Sequence, residues 1–302
     1  MGFLAKIAFK NLFRHRLRTS VSVVAIAFSV LIVVFARGYV LGMVDSIAAD
    51  HIYYDSGHIK IARQEYLDEA RLLPLNYPVD NLQEIMTNLQ TIGNVDMVVP
   101  RLKFGAMVST GEELITMSGW GVDPSLELAF TDISDYLVEG TMPRSGQLEI
   151  MMGTDLLDKI DHQVGDKVTI AYNTAFNSLN AATFTIVGRL QSGMRLLNEV
   201  VFYLPLEEAQ RLLYMDDQAT ELLLVTPDLE LIDDVLPTVK SLLAEQGGDY
   251  VAYGYRETNE LIPFMDVAKL IYNQMYVFLV LLASIVVVNT MIMIVKERTR
   301  EI

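Results

Sequence analysis

Apolar and polar positions follow three different rhythms along the chain, and each predicts a different kind of element. From Thr19 to Ala36 no side chain is charged; Arg37 interrupts, and apolar character resumes through Tyr39, Val40, Leu41 and Met43. A second run, Leu270 to Val295, is wholly uncharged. An α-helix needs about 20 residues to cross the ~30 Å hydrocarbon core of a bilayer, so both runs suffice. The pattern predicts transmembrane helices over 19–43 and 270–295. Arg37 lies near one end of its run, where a long cationic side chain reaches the headgroups. Tyr272 and Tyr276 fall where an interfacial aromatic belt is expected. A cleaved secretory signal is the competing reading of the first run, since Ser46-Ile47-Ala48 has the small-x-small form. The apolar stretch is too long for that, and Arg37 and Asp45 intervene before the cleavage site.

Between the runs the rhythm shortens. Val44 to Asp55 contains no breaker and extends the first helix until Gly57 ends it; His58-Ile59-Lys60-Ile61 then alternates as a strand does. Asp80, with Gln83 three residues on, reads as a helix cap before Leu82, Ile85, Met86, Leu89 and Ile92, which recur at helical spacing. Strands are predicted at 95–99 and 102–109, and a turn at Gly111-Glu112 folds the latter onto 114–118 as a hairpin. Asp123-Pro124 opens a short helix. Short strands follow at 147–152, 167–171 and 183–187, with a helix from Pro205 to about Leu213. A strand at 221–226, a helix at 229–245 and a strand at 250–255 complete the pattern. Strand–helix–strand thus occurs twice, flanking a mostly β insert, and two such units combine into a ferredoxin-like sheet with helices on one face. The expected fold class is α-helical spans plus an α+β domain. Its membrane-proximal ferredoxin-like (porter-like) subdomain comprises 44–110 and 215–268, and a β-rich inserted subdomain, 111–214, projects from it.

Charge orients this arrangement. The chain has formal net charge −15, with 38 acidic and 23 basic residues. Lys6, Lys10, Arg14, Arg16 and Arg18 precede the first run, and Lys296, Arg298 and Arg300 follow the second. The positive-inside rule places both termini in the cytoplasm and 44–269 on the far side of a bacterial inner membrane. That body is strongly acidic, so it repels nucleic acid and anionic headgroups. Lys6, Lys10, Arg14 and Arg18 recur every fourth residue, with Phe3, Leu4, Ile7, Ala8 and Leu12 on the other side. Residues 1–18 therefore read either as an amphipathic helix on the inner leaflet or as a topogenic basic cluster. Gly38 and Gly42 form a small-xxx-small pair suited to span packing, and Ser284, Asn289 and Thr290 suit polar contacts between spans.

Several chemistries have no foothold. There is no cysteine, which removes disulfides and thiol nucleophiles. No GxxxxGK[ST] loop, HExxH or GxSxG motif occurs. His51 and His58, seven apart, are separated by Gly57 and lack the further ligands of a closed metal site. Asp216-Asp217 and Asp233-Asp234 lack calcium-loop spacing. No cofactor is expected, and nothing argues for an enzyme. Met142, Met151, Met152 and Met194 suit either core filling or adaptable contact.

Five segments carry a resemblance. Ala8-Phe9-Lys10-Asn11-Leu12-Phe13-Arg14-His15-Arg16-Leu17-Arg18-Thr19 resembles the opening of the MacB/FtsX-type ABC permeases. Gly57-His58-Ile59-Lys60-Ile61 resembles a strand of their lipoprotein-releasing, Lol-type branch. Glu149 to Leu157 with Val164-Gly165-Asp166-Lys167-Val168 is similar to the family's periplasmic core domain, as is Phe184-Thr185-Ile186-Val187-Gly188 with Gly193. Val295 to Ile302 is similar to its "x-K-E-R-x-R-E-I" stretch.

The resemblance implies a four-span permease working with a separate ABC ATPase on the cytoplasmic side and a second permease subunit. It implies mechanotransmission, in which ATP-driven closure rocks the spans and reshapes the periplasmic domains. The expected substrate is a lipoprotein or another hydrophobic envelope molecule, with a periplasmic carrier as a further partner. Two further spans would follow Ile302 in that family, so a fragment or split-gene product is expected; Asn198 stands where the family often has Asp. Lys296, Glu297, Arg298, Thr299, Arg300 and Glu301 are the expected ATPase-coupling segment. Glu297 and Glu301 support docking because acids contribute little to topology. A sensory receptor with a ligand-binding ectodomain is the alternative, and it would need a signalling module after the second span.

Overall fold

The computed structural model describes residues 16–299 apart from 112, 132, 248, 259 and 260. The chain divides into two compact units, one of residues 1–48 with 260–302 and the other of residues 49–259.

The first unit is a pair of long helices. Helix α1 (Arg16–His51) has 36 residues and α9 (Leu261–Thr299) has 39. In α1 the half-buried positions are Val33, Ala36, Arg37, Val40, Leu41 and Val44. Their spacing at three and four residues marks one helical stripe. Met265, Lys269, Tyr272 and Tyr276 form the matching stripe of α9. Lys269 Nζ meets Asp45 Oδ1 at 2.7 Å, and the Arg37 guanidinium lies 4.7 Å from the Tyr276 ring centre, so the two helices run antiparallel. Phe28, Leu31, Phe35, Tyr39 and Met43 stay exposed on the other side of α1. Large apolar side chains facing outward along a whole helix suit a lipid surround. Among the described residues, one stretch, Val30–Ser56, is long and apolar enough to cross a membrane, with mean hydropathy 1.8; Val267–Leu282 is a shorter apolar stretch.

The second unit is built on one ten-stranded sheet. After α1 come a π-helical turn (Ile52–Ser56), β1 (Ile59–Arg63), α2 (Gln64–Asp68), α3 (Leu82–Gln90), β2 (Met97–Ser109) and β3 (Leu114–Val122). Next are α4 (Pro124–Thr131), β4 (Leu137–Gly140), β5 (Glu149–Gly153), α5 (Thr154–Lys159), β6 (Lys167–Asn173) and β7 (Leu179–Leu190). Then follow α6 (Arg195–Val200), β8 (Val201–Pro205), α7 (Leu206–Leu213), β9 (Glu221–Val225), α8 (Ile232–Glu245) and β10 (Tyr250–Gly254).

Strands β10-β1-β9-β2 are consecutive in the sheet and antiparallel throughout. They are two interleaved strand–helix–strand units, β1-α3-β2 and β9-α8-β10, in the order fourth-first-third-second of a ferredoxin-like sheet. Their helices share one face. Leu82, Ile85 and Leu89 of α3 and Val235, Val239 and Leu243 of α8 cover Ile59, Ile61, Leu102, Leu222 and Leu224. The sheet continues β3-β8-β5-β7-β4, with parallel pairs β3/β8 and β5/β7.

The strands within 111–214 share one sheet with those of 44–110 and 215–268, and one expectation, the Asp80 cap, needs correction. Strand β2, 13 residues long, pairs with β9 over Met97–Arg101 and with β3 over Arg101–Ser109, so one continuous ladder joins the inserted residues to the rest. Asp80 does not cap α3: Asn81 precedes it in the left-handed region without a side-chain cap. The Asp80 carboxylate instead accepts from Arg63 Nη2 and Gln218 Nε2, each at 2.7 Å. A charged donor at the sheet edge is a stronger partner for a carboxylate than a backbone amide. Asp123 does cap α4, its Oδ1 accepting from the amides of Ser125 and Leu126 at 2.9 and 3.1 Å.

Candidate functional site: a buried ionic junction

Strand alternation sends Ile59, Ile61, Leu102 and Leu222 to the helix-covered face, so Lys60, Arg101, Lys103 and Glu221 point to the other. On an open sheet these would be solvated. Here that face is covered by the π-helical turn and α4, and all four side chains are buried.

Arg101 is the centre. Its side chain and that of Glu127, from α4, are both fully buried. Nη2 donates to Glu127 Oε1 at 2.6 Å and Nε to Oε2 at 3.2 Å, the two-pronged geometry that makes guanidinium–carboxylate pairs strong. Nη1 donates to the carbonyl of Tyr54 at 2.8 Å and Nη2 to that of Tyr53 at 3.1 Å. One arginine thus ties the turn that follows α1 to the sheet and to α4. The Trp120 and Phe130 rings lie 5.2 and 5.6 Å from the guanidinium carbon. Burial disfavours the charge, but Glu127 more than offsets it, and the Arg101 pKa is raised.

Beside it sits a quartet of alternating sign. Lys60 Nζ lies 3.2 Å from Asp55 and 3.0 Å from Glu221; Lys103 Nζ lies 3.2 Å from Asp55 and 2.7 Å from Glu221. The Glu221 contacts are close ion pairs without hydrogen-bond alignment. Asp55 belongs to the π-helical turn, and the other three come from the adjacent strands β1, β9 and β2. For Asp55 and Glu221 burial pushes the carboxyl pKa up, but the two lysines pull harder and both end below the usual range. Lys60 is the mirror case: burial lowers its pKa, Glu221 and Asp55 raise it, and the net is upward.

His51 closes the arrangement. Its Nε2 lies 2.9 Å from Thr258 Oγ1, and its Nδ1 lies 3.8 Å from Asp55 Oδ2. Burial lowers its pKa, Lys60 and Lys103 add to that, and Asp55 opposes. The chain's points of entry to and exit from the 49–259 unit are therefore hydrogen-bonded to each other. Gly57 lets the chain turn from the π-helical segment into β1 with φ +60°, and a Cβ there would sit 2.9 Å from Leu223 Cβ. The Tyr203 hydroxyl, fully buried beside Trp120, has no hydrogen-bond partner among the described residues.

This geometry locks the turn that follows α1 to the strands β1 and β2 and to α4. The buried charges are matched in pairs, no group of three or more metal-ligating side chains occurs among the described residues, and α1 runs without a break into the turn that Arg101 and the quartet grip. Residues 19–245 match the family model of the MacB-like periplasmic core domain. The chain belongs to that family. Membership makes this chain a MacB/FtsX-type permease component with an ABC-transporter context, and the apolar α1 fits a membrane anchor for its periplasmic MacB-like domain. Two solved structures are similar. The extracellular domain of the ABC-type transporter YknZ from Gram-positive bacteria is 14% identical, covering 65% of this chain and 99% of that one, with TM-score 0.47. The periplasmic region of MacB from Actinobacillus actinomycetemcomitans is 13% identical, covering 68% and 92%, with TM-score 0.47.

Of the candidate residues singled out in the sequence, His51 falls in this junction of the MacB-like domain and the others lie elsewhere. Lys6, Lys10 and Arg14 lie outside the described residues, as do Arg300 and Glu301; Arg18 and Lys296 to Thr299 lie on α1 and α9. Gly38 and Gly42 lie on α1, with no described atom within 4 Å of an added Cβ. Ser284 Oγ donates to the Val280 carbonyl of its own helix. Asn289 lies on α9. His51 and His58 go separate ways, the latter meeting Thr226 Oγ1 at 2.8 Å. Met151 and Met152 are fully buried, and Met142 and Met194 pack against the buried cluster that contains Trp120, Leu197 and Tyr203. Asn198 is buried, with Oδ1 accepting from the Ser192 amide and Nδ2 donating to its carbonyl, both at 2.8 Å.

The junction escaped the sequence reading because Lys60 and Lys103 look like the solvated half of an alternating strand. One signal was present. Pro100-Arg101-Leu102-Lys103-Phe104 and Ile59-Lys60-Ile61 put like charges at alternate positions in strands whose other positions are strongly apolar. A central strand of that kind needs countercharges on its second face.

Proposed function

We propose that the chain is the permease subunit, or part of one, of an ABC transporter that works by mechanotransmission. In this reading α1 and α9 both span the inner membrane with cytoplasmic ends, and a separate ATPase binds the segment at 296–301. ATP-driven closure moves the spans, and the buried junction passes that motion to the periplasmic domain. A second permease subunit completes the membrane part, and the outward Gly38/Gly42 face of α1 offers it a close-packing surface. The substrate class is a lipoprotein or another hydrophobic envelope molecule, worked on from the outer leaflet or periplasm, with a periplasmic carrier as a further partner.

The observation that carries the reading is the unbroken passage of α1 into a turn whose carbonyls and carboxylate are held by Arg101, Lys60 and Lys103. A helix joined to its domain by a flexible linker would dissipate displacement. Here the turn moves only if three strands move with it. The test uses the absence of native cysteine. Ser145→Cys, in an exposed loop, is expected to react with a membrane-impermeant maleimide in intact spheroplasts. In membranes carrying the partner ATPase, Asp55→Asn is expected to leave ATP hydrolysis intact while reducing substrate release several-fold. Labelling of the Ser145→Cys variant only after lysis overturns the orientation, and unchanged release by Asp55→Asn overturns the coupling role.

A further inference from the structure

Arg37 is a charged residue within an apolar helix, and its surroundings satisfy only part of it. The guanidinium stacks over the Tyr276 ring at 4.7 Å. It makes no hydrogen bond or ion pair among the described residues. Asp45, two turns further along α1, is held by Lys269 at 2.7 Å. A ring face satisfies the cation's π-surface but none of its five N–H donors, which lie in the guanidinium plane and match two oxygens of one anion. In an apolar surround, donors left without acceptors are costly.

Depth supplies the anion. Arg37 stands 19 residues beyond Arg18 on the same continuous helix, a rise of roughly 29 Å. Tyr276 stands 20 residues before Lys296 on α9, roughly 30 Å. Both helices thus place the pair about one hydrocarbon thickness from their basic ends. Two independent helices give the same height, and it is that of the phosphates of the opposite leaflet. The Asp45–Lys269 pair lies two turns further out, beyond the acyl region. The headgroups of that leaflet therefore meet Arg37 before any solvent-borne anion does.

We propose that Arg37, backed by the Tyr276 ring, binds the phosphate of an outer-leaflet phospholipid. The proposal rests on the reading of α1 and α9 as membrane spans. Arg37 supplies two parallel N–H donors to non-ester phosphate oxygens, and Tyr276 fixes the plane of the guanidinium. The site lies on the α1/α9 seam, so an occupying lipid braces the two helices just below the Asp45–Lys269 pair. The same phosphate chemistry is offered by inorganic phosphate, and the test separates the two sources.

The experiment is native mass spectrometry of the full chain extracted from membranes in a mild detergent, titrated with phosphatidylglycerol, with diacylglycerol of the same acyl chains, or with phosphatidylglycerol plus inorganic phosphate. The expected result is one retained phosphatidylglycerol per chain, no equivalent diacylglycerol adduct and no displacement by millimolar phosphate. Arg37→Gln is expected to lower retention at least tenfold. Arg37→Lys, which keeps the charge but not the planar fork, and Tyr276→Leu, which removes the ring, are expected to lower it by smaller factors. Undiminished retention in Arg37→Gln, equal retention of diacylglycerol, or displacement by inorganic phosphate overturns the lipid site while leaving the spans intact. Recovery of the wild-type chain in the soluble fraction after an alkaline wash overturns the membrane reading and the site together.

Discussion

Arg101 and Glu127, 26 residues apart, form a two-pronged ion pair whose side chains have no solvent exposure. Desolvating two charges is expensive, and removing one partner strands the other. Arg101→Met in the full chain is expected to destabilise the 49–259 unit by about 3–5 kcal/mol. The double replacement Arg101→Met with Glu127→Leu is expected to recover part of that loss, because no buried charge remains. Equilibrium denaturation followed by Trp120 fluorescence reads both. A double variant less stable than the single one contradicts the account.

Three junction residues and His58 together set a direction for pH. Asp55, Glu221, His51 and His58 all have folded-state pKa values below their ordinary ones. The folded state therefore binds fewer protons than the unfolded chain, and their stabilisation is full above the unfolded values and lost as pH falls. The histidines act first, below about 6.5, and the carboxylates only below about 4. Melting temperature is expected to drop between pH 7.5 and pH 5. His51→Gln with His58→Gln is expected to flatten that first step. An unchanged slope in the double variant removes the histidines from the explanation.

Tyr203→Phe tests the unpartnered hydroxyl. Deleting a buried hydroxyl that makes no bond removes a desolvation cost of about 1–3 kcal/mol. The ring contact with Trp120, 5.5 Å between centres, is kept. Stability equal to or above wild type is expected in the same denaturation assay, and a loss above about 1 kcal/mol would reveal a partner.

Gly57→Ala meets a contact rather than a missing bond. Its φ of +60° and the approach of Leu223 Cβ combine steric strain with a left-handed backbone. A loss of about 1–3 kcal/mol is expected. Gly111→Ala, also at positive φ but with open space around it, is the milder comparison.

The coupling segment is tested in the membrane. Glu297→Lys with Glu301→Lys is expected to reduce co-purification of the partner ATPase without altering membrane insertion, since acids contribute little to topology. Unchanged co-purification assigns the segment's basic residues to topology alone.

Periodicity exposed the elements whose apolar positions had somewhere definite to go. The Leu82–Leu89 stripe, the Gly111 hairpin, the Leu206–Leu213 helix and the Asp123 cap are each written in neighbouring residues. The partners of Asp80 were hidden because Arg63 and Gln218 reach it from distant segments. Arg101 and Glu221 are directly opposed in the sheet register, yet 120 positions separate them in the chain. A local pattern shows that Lys60 alternates with isoleucines. It does not show that Glu221, from a distant segment, comes to lie beside the lysine. The junction is a product of topology, and so no motif announces it.

The bond between His51 and Thr258 has a mechanical meaning of its own. His51 and Thr258 stand close to the two ends of the 49–259 unit, so one side-chain bond holds those ends side by side. Tension applied through either end converges on one spot and tests that bond before it shears any strand. Excised as one piece, residues 49–259 are expected to keep the ladder intact, because every strand of the sheet lies within them.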